Sequence, residues 1–283
     1  MLTDGFKQAE DITQKYAKTF YFASRFLGRE KRQAAYSVYS ICRISDETVD
    51  SAEKTEQPLL LAALKDKIEL VYREKELKDK LLLAFRHTIK TYQIPHEYFK
   101  ELLEGMYMDL RKDRYDNFTE LYYYCYKVAG VVGLIMLKIF GYDKADAEKH
   151  AVNLGIAMQL TNILRDIKED FKRGRIYLPR DEMKQFGITQ EYISNEVTNH
   201  SFESFLKFQI ERARQYYAYA AEGIKMINCR RSRFVVCTMK DMYAAILGAI
   251  ERNKYDVFSR RAHVSTAGKL SIVLKVLLRG EYL

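Results

Sequence analysis

Proline occurs at only three positions in this chain, Pro58, Pro95 and Pro179, and each sits where a helical pattern of apolar residues stops. Proline lacks a backbone donor and clashes with the preceding turn, so it interrupts helices. A chain of 283 residues with so few breakers is free to be helical throughout. Over 5–27, Phe6, Ala9, Ile12, Tyr16 and Phe20 share one helical face; over 29–49, Ala34, Ala35, Val38, Ile41 and Cys42 do. The same periodicity predicts helices over 59–72, 77–92, 96–112, 119–139, 144–171, 200–227, 231–252 and 265–277. Within 119–139, Gly130 and Gly133 would let a neighbouring backbone approach closely. No Gly/Ser-rich linker or shift in composition divides the chain, so the expected architecture is all-α, one domain over 1–283.

Hydrophobic residues make up 48% of the chain, enough for a large core, and 22 Tyr with 15 Phe make that core aromatic despite the absence of Trp. Met1 leads into a polar amphipathic segment rather than a signal sequence. The apolar run 130–141 is short for a bilayer and carries Lys138, which predicts a soluble, cytoplasmic protein with at most peripheral membrane contact. Cys42, Cys125, Cys229 and Cys237 fall at no metal spacing, and the five His are scattered, which argues against zinc and for buried free thiols. A net charge of +9 suits nucleic acid, anionic lipid or a polyphosphate-bearing substrate. The basic residues are dispersed and no zinc-finger or RNA-binding signature occurs, so no nucleic-acid partner is expected.

Two acidic stretches stand out. In "NILRDIKEDFKRGRIYLP" (162–179), Asn162, Asp166 and Asp170 recur every four residues, with Gln159 on the same side and Arg165 flanking it. In "YSICRISDETVD" (39–50), Asp46 and Asp50 are again four apart, with Tyr39 and Arg43 on their face. Like charges four apart destabilise a helix by a few tenths of a kcal/mol. Either each stripe is a solvated face, or its acids hold a cation. Two stripes in apolar helices, each with an arginine on the same side, favour the second reading. Carboxylates and an amide are hard oxygen donors suited to Mg²⁺, which fills its remaining positions with water and phosphate oxygens. The arginines and lysines alongside would then neutralise the phosphate oxygens that the metal does not reach.

Beyond these stretches, "KTFYFAS" (18–24), "GMYMDLRKDRY" (105–115), "YCYKVAGVVG" (124–133), "ARQYY" (213–217) and "YDVFSRR" (255–261) complete an ordered set of motifs. Together they resemble the phytoene/squalene synthase family over nearly the whole chain, and "GRIYLP" with the "IERNKYDVFSRRAHVS" ending is most similar to its phytoene branch. The resemblance implies a helical bundle with a central cavity, and head-to-head condensation of two prenyl diphosphates by a prenyltransferase. It implies metal ligation by Asp46, Asp50, Asn162, Asp166 and Asp170, with Mg²⁺ as the cofactor and Mn²⁺ as a substitute. It implies catalytic roles for those four aspartates together with Arg43 and Arg165. Substrate contacts map to Tyr16, Ala17, Lys18, Thr19, Tyr39, Arg43, Gln159, Arg165, Tyr243 and Arg260, with Tyr124 lining the prenyl cavity. Tyr16 stands where many relatives carry His, and Glu47 where Asp is common. On the phytoene branch the substrate is C20 geranylgeranyl diphosphate and no NADPH is required. Coupling of C15 farnesyl diphosphate to dehydrosqualene or squalene, a cyclase of the same fold, and a non-catalytic assembly factor are the alternatives.

Overall fold

The protein is described by a computed structural model that covers residues 1–51, 55–73 and 76–283, with the side chains of 44–51 outside the described set. It is all-α. Helices α1 (Leu2–Tyr16), α2 (Lys18–Ser24), α3 (Arg29–Ser51), α4 (Gln57–Tyr72), α5 (Lys80–Tyr92) and α6 (His96–Arg111) form the first half. Helix α7 (Phe118–Cys125), a π-helical turn (Tyr126–Gly130) and α8 (Val131–Phe140) run on as one continuous rod. Then come α9 (Ala147–Arg165), α10 (Ile167–Lys172), the short α11 (Arg180–Gln185) and α12 (Gln190–Ser194), and the long α13 (His200–Glu222), α14 (Arg230–Arg252) and α15 (Thr266–Arg279). Among the described residues the only extended pairings are isolated bridges, Arg114 with Ile176 and Tyr142 with Ile227.

The three prolines open helices as well as closing the stretches before them. Pro58 lies in the first turn of α4, and Pro95 and Pro179 are the N-caps of α6 and α11, positions where a missing N–H costs nothing. Elsewhere side chains do the capping. The Asp79 carboxylate accepts from the N–H of Leu81 and Leu82, and Asn117, Asn199 and Ser265 cap α7, α13 and α15 in the same way.

Two apolar clusters make the core. One gathers α1, α3 to α6, α8 and the start of α14 around Tyr36, Leu61, Phe85, Phe99 and Ile135. The other gathers α7, α9, α13 and the end of α14 around Tyr115, Ile156, Phe202, Phe205 and Leu206. Helix α9 packs along α13, α8 and the π-helical turn, and so runs between the two. The close approach expected of Gly133 occurs: a Cβ there would stand 2.3 Å from the Ala151 carbonyl oxygen of α9. Gly155 makes the reciprocal approach, 2.2 Å from the Ala129 carbonyl oxygen, whereas Gly130 faces the side chains of Tyr126 and Val152.

Three expectations from periodicity are corrected. The predicted helix 5–27 is two helices, because Ala17 leaves the helical region (φ −123°, ψ 57°); α1 then packs on α3 and α5 while α2 packs on α14. The predicted helix 144–171 breaks at Asp166 (φ −107°, ψ 19°). The apolar segment is also longer than the run 130–141: the continuous helical rod Phe118–Phe140 is long and apolar enough to cross a membrane by length and composition. In the fold, Leu121, Cys125, Val131, Ile135 and Ile139 of that rod are buried in the two clusters, so it is a core element.

Candidate active site

A cavity of about 330 Å³ lies where the two apolar clusters meet. Leu102 and Met106 of α6, Val128 of the π-helical turn, Val132 of α8 and Ile163 of α9 make its apolar wall, and Tyr124 and Tyr177 add aromatic rings. Its polar end carries Arg43 of α3, then Gln159, Asn162, Arg165 and Asp166 of α9 and its cap, Asp170 of α10, and Arg173 and Arg175 beyond it. An apolar trough thus ends in alternating acids and cations.

The break at Asp166 does not scatter the second acidic stripe. The Asp166 N–H still donates to the Asn162 carbonyl at 2.9 Å, and the Asp170 N–H to the Asp166 carbonyl at 2.9 Å. The four-residue rise therefore continues through the kink, and all three side chains line the cavity. Asp166 accepts two guanidinium forks: Arg165 through Nε at 2.8 Å and through Nη2, and Arg261 through Nε at 2.7 Å and Nη2 at 2.9 Å. Burial favours the neutral acid at Asp166, but these two guanidinium groups outweigh it and hold the carboxyl below the usual range. Asp170 goes the other way. Burial, then the Asp166 charge, raise it to about 7 in spite of Arg173 and Arg175.

Two buried polar atoms of the polar end have no protein partner, the Oδ1 of Asn162 and the Nε of Arg43. The first is an acceptor beside two carboxylates, which is what a hard divalent cation requires; the second is a donor suited to an anion. Among the described residues no group of three or more His, Cys, Asp and Glu side chains comes together as a metal centre. The residues that do assemble are one amide and two aspartates, a donor set that leaves positions for water and phosphate oxygens. Asp46 and Asp50 belong to α3, as does Arg43, and their side chains lie outside the described residues.

The remaining predicted positions fall around this end of the cavity to different degrees. Tyr16 lies under Arg43, with the guanidinium carbon 4.9 Å from its ring centre. Ala17 is the hinge between α1 and α2, and Lys18 and Thr19 open α2. Tyr39 packs on Phe20, ring centres 5.7 Å apart. Tyr243 of α14 is close enough to Arg165, Arg261 and Asp166 for their charges to act on its hydroxyl, and burial, the larger effect, keeps that hydroxyl protonated. Arg260 turns away to the Asn253 Oδ1, and it is the adjacent Arg261 that reaches Asp166. Tyr217, outside the cavity, joins α13 to α9 through a 2.9 Å hydrogen bond with Thr161.

A second group was only partly visible in the sequence. Asp109 accepts from the Tyr177 hydroxyl at 2.8 Å and from the Tyr124 hydroxyl at 3.0 Å, so one carboxylate is cradled by two phenols at the cavity wall. Burial, then the Asp109 charge, push both phenols far above the ordinary tyrosine range, so both remain donors. Tyr115 stacks on Tyr177 at 5.7 Å between ring centres. The π-helical turn supports this group: Lys127, almost fully buried, is held by Glu101 and Glu104 of α6. Tyr177 comes from "GRIYLP", whose spacing alone points to no chemistry, and Asp109 has no periodic partner along its own helix.

Residues 13–267 match the squalene/phytoene synthase family. The 15-cis-phytoene synthase of Synechococcus elongatus is 37% identical, over 100% of this chain and 95% of that protein. The chloroplastic phytoene synthase of Daucus carota is 40% identical, over 95% of this chain and 69% of that protein. Among solved structures, a dehydrosqualene synthase in complex with ligand superposes with a TM-score of 0.93 at 26% identity, covering 100% of this chain and 98% of its own. A squalene synthase from Alicyclobacillus acidocaldarius superposes with a TM-score of 0.83 at 27% identity, over 90% of this chain and 96% of its own. The matched span includes α3, the aromatic wall of α7 and the acidic end of α9, and the chain belongs to the squalene/phytoene synthase family.

Proposed function

We propose that the chain joins two geranylgeranyl diphosphates head to head to give phytoene, releasing two diphosphates and a proton. The observation that carries this reading is the cavity's polarity: an apolar and aromatic trough that suits prenyl chains, ending in Arg43, Arg165, Arg173 and Arg175 beside Asn162, Asp166 and Asp170. A divalent cation held by Asn162, Asp166 and Asp170, with Asp46 and Asp50 from α3, would supply charge neutralisation for the diphosphate. Arg43 and Arg165 take the oxygens left over and stabilise the negative charge that grows as the first allylic C–O bond breaks. The double bond of the second prenyl chain attacks the allylic carbon, giving a cyclopropylcarbinyl diphosphate. Its C–O bond breaks in turn, the skeleton rearranges, and loss of a proton leaves a conjugated triene.

Cationic carbon in this trough would lie beside the stacked rings of Tyr124 and Tyr177 and the Asp109 carboxylate, which also lines the cavity and adds a fixed negative charge. The departing proton has two acceptors, the released diphosphate and the Asp109–tyrosine group. Tyr16, Ala17, Lys18, Thr19, Tyr39, Gln159 and Tyr243 complete the proposed substrate contacts, and Arg261, which reaches Asp166, takes the place expected of Arg260.

One observation favours a second reading, coupling of C15 chains to dehydrosqualene: the close superposition on a dehydrosqualene synthase. The higher identity to phytoene synthases, 37% and 40% against 26%, favours C20. The test is to incubate purified protein with Mg²⁺ and each of the C10, C15 and C20 diphosphates, without nicotinamide, and to identify the hydrocarbon by mass and by its triene absorption. A C40 triene from C20 alone supports the proposal. A C30 product from C15 with no turnover of C20 overturns it, and a product formed only with NADPH moves the assignment to squalene synthesis.

A further inference from the structure

Helix α15 contradicts the usual arrangement of a surface helix. Val273 and Val276 pack inward against the neighbouring core, yet Leu270, Leu274, Leu277 and Leu278 are 51%, 59%, 45% and 86% exposed. At about 100° per residue these four leucines fall within an arc of about 100° on the outward side. They form a continuous stripe, where a solvated face would carry charge. Lys275 lies about 60° beyond one edge of the stripe, whereas Lys269, about 80° beyond the other, shares its direction with the covered Val273 and Val276 and is itself half-buried. The whole helix contains no Asp or Glu. Arg279 is already paired with Asp241 and Glu281.

We propose that α15 is the face by which this protein lies on an anionic lipid surface, with Leu270, Leu274, Leu277 and Leu278 entering the acyl boundary and Lys275 at the headgroups. A stripe of leucines bordered by a lysine is the pattern of an interfacial helix: the apolar side chains gain by leaving water, and the long lysine stem lets its ammonium group reach lipid phosphates. Charge selects this occupant over a second copy of the chain. Two α15 helices laid face to face would set Lys275 at the border of each stripe with no acid on either helix to pair it. The surroundings strengthen the positive field. Lys18, at the start of α2, lies near Lys269, whose ammonium is held below its ordinary range first by burial and then by that neighbouring charge.

The chain has no Trp, which makes the test direct. Leu274→Trp introduces a single indole on the stripe, and Tyr219→Trp, on the exposed surface of α13, is the control. With vesicles of phosphatidylglycerol and phosphatidylcholine, Leu274→Trp should shift its emission to the blue and be quenched by brominated acyl chains, and Tyr219→Trp should do neither. In sedimentation with the same vesicles, Leu274→Ser with Leu278→Ser should lower the partition coefficient of the otherwise native chain at least tenfold. Lys275→Glu should weaken binding and flatten its salt dependence. All these positions are exposed, so circular dichroism should be unchanged. The proposal is overturned if Leu274→Trp shows no shift with any vesicle, or if the double serine variant partitions like the native chain. It is equally overturned by equal binding to pure phosphatidylcholine, or by a lipid-independent dimer that the serine variant dissolves.

Discussion

Replacing a helical glycine by alanine should have opposite effects at two places in this protein. In an unobstructed helix interior alanine is favoured over glycine by about 1 kcal/mol, because the glycine backbone loses more freedom on folding. Gly248 of α14 meets that condition: an added Cβ would find only the Arg252 Nη1 at 3.3 Å, the far end of a flexible side chain. Gly248→Ala should stabilise by about 0.5–1 kcal/mol. At Gly155 the same methyl would stand 2.2 Å from the Ala129 carbonyl oxygen, 2.6 Å from its carbon and 2.9 Å from the Gly130 Cα. All three atoms are backbone of the π-helical turn, so no rotamer change relieves them, and α9 must retreat by about 1 Å to restore ordinary contact near 3.5 Å. Overpacking of this kind costs about 1–3 kcal/mol and occasionally more, which exceeds the propensity gain. Three backbone atoms within 2.9 Å put this site at the upper end of that range, so Gly155→Ala should lower stability by about 1–2 kcal/mol net, or a melting temperature by about 2–6 °C in a chain of this size. Because α9 carries Gln159, Asn162, Arg165 and the Asp166 cap, its displacement should also reduce turnover, whereas Gly248→Ala should leave turnover unchanged. Urea unfolding and product formation read both effects. If Gly155→Ala proved as stable as Gly248→Ala, the close approach of α9 to the π-helical turn would not constrain the site, and the reasoning would fail.

The two aspartates of the second stripe should respond oppositely to loss of charge. The Asp170 carboxyl titrates near 7 in the fold and near 4 unfolded, so between those values the unfolded chain sheds a proton that the folded chain keeps, and stability falls as pH rises. Asp170→Asn should then stabilise the metal-free protein by about 2–4 kcal/mol at pH 8 and by nothing at pH 4, while abolishing product; parallel melting profiles against pH would refute this. Asp166 has the reverse sign: its depressed carboxyl stabilises above about pH 4 and loses that contribution as pH falls. Asp166→Asn should destabilise by about 1–2 kcal/mol at pH 8, since Arg165 and Arg261 lose a charged partner, and should also abolish product. Product formation should depend strictly on divalent metal, and full turnover in excess EDTA would remove the metal reading. Among neighbouring acids, Glu47→Gln should cost little activity and Asp50→Asn nearly all of it, because on a helix Glu47 turns about 100° from Asp46; equal losses would sink the facing argument.

Much of this architecture was legible in the linear chain because it is local physics. Scarce prolines and recurring apolar spacing marked the helices to within a few residues, as at α4, α6 and α14. Spacing of four likewise put Asn162, Asp166 and Asp170 on one side, and the structure keeps them together at the cavity. What periodicity could not show were the interruptions. Nothing in the side chain of Ala17 ends a helix, and the break there exists because α1 and α2 pack on different partners. The kink at Asp166 likewise coincides with two arginines that reach the carboxylate, one of them 95 residues further along the chain.

The deepest divide lies between motifs that carry their chemistry along one helix and groups assembled across several. Acids four apart are neighbours by helix geometry alone, so the sequence determined them. Asp109, Tyr124 and Tyr177 come from α6, α7 and the loop after α10, and only the packing of those elements puts two hydroxyls on one carboxylate. The choice between Arg260 and Arg261 belongs to the same class. Their segment is irregular, no periodicity says which of two adjacent side chains faces inward, and that direction is settled by the backbone between Asn253 and Ser265. The outward leucines of α15 close the series: the chain specifies an amphipathic helix, and only tertiary packing decides that Val273 and Val276 are covered while the four leucines are left facing out.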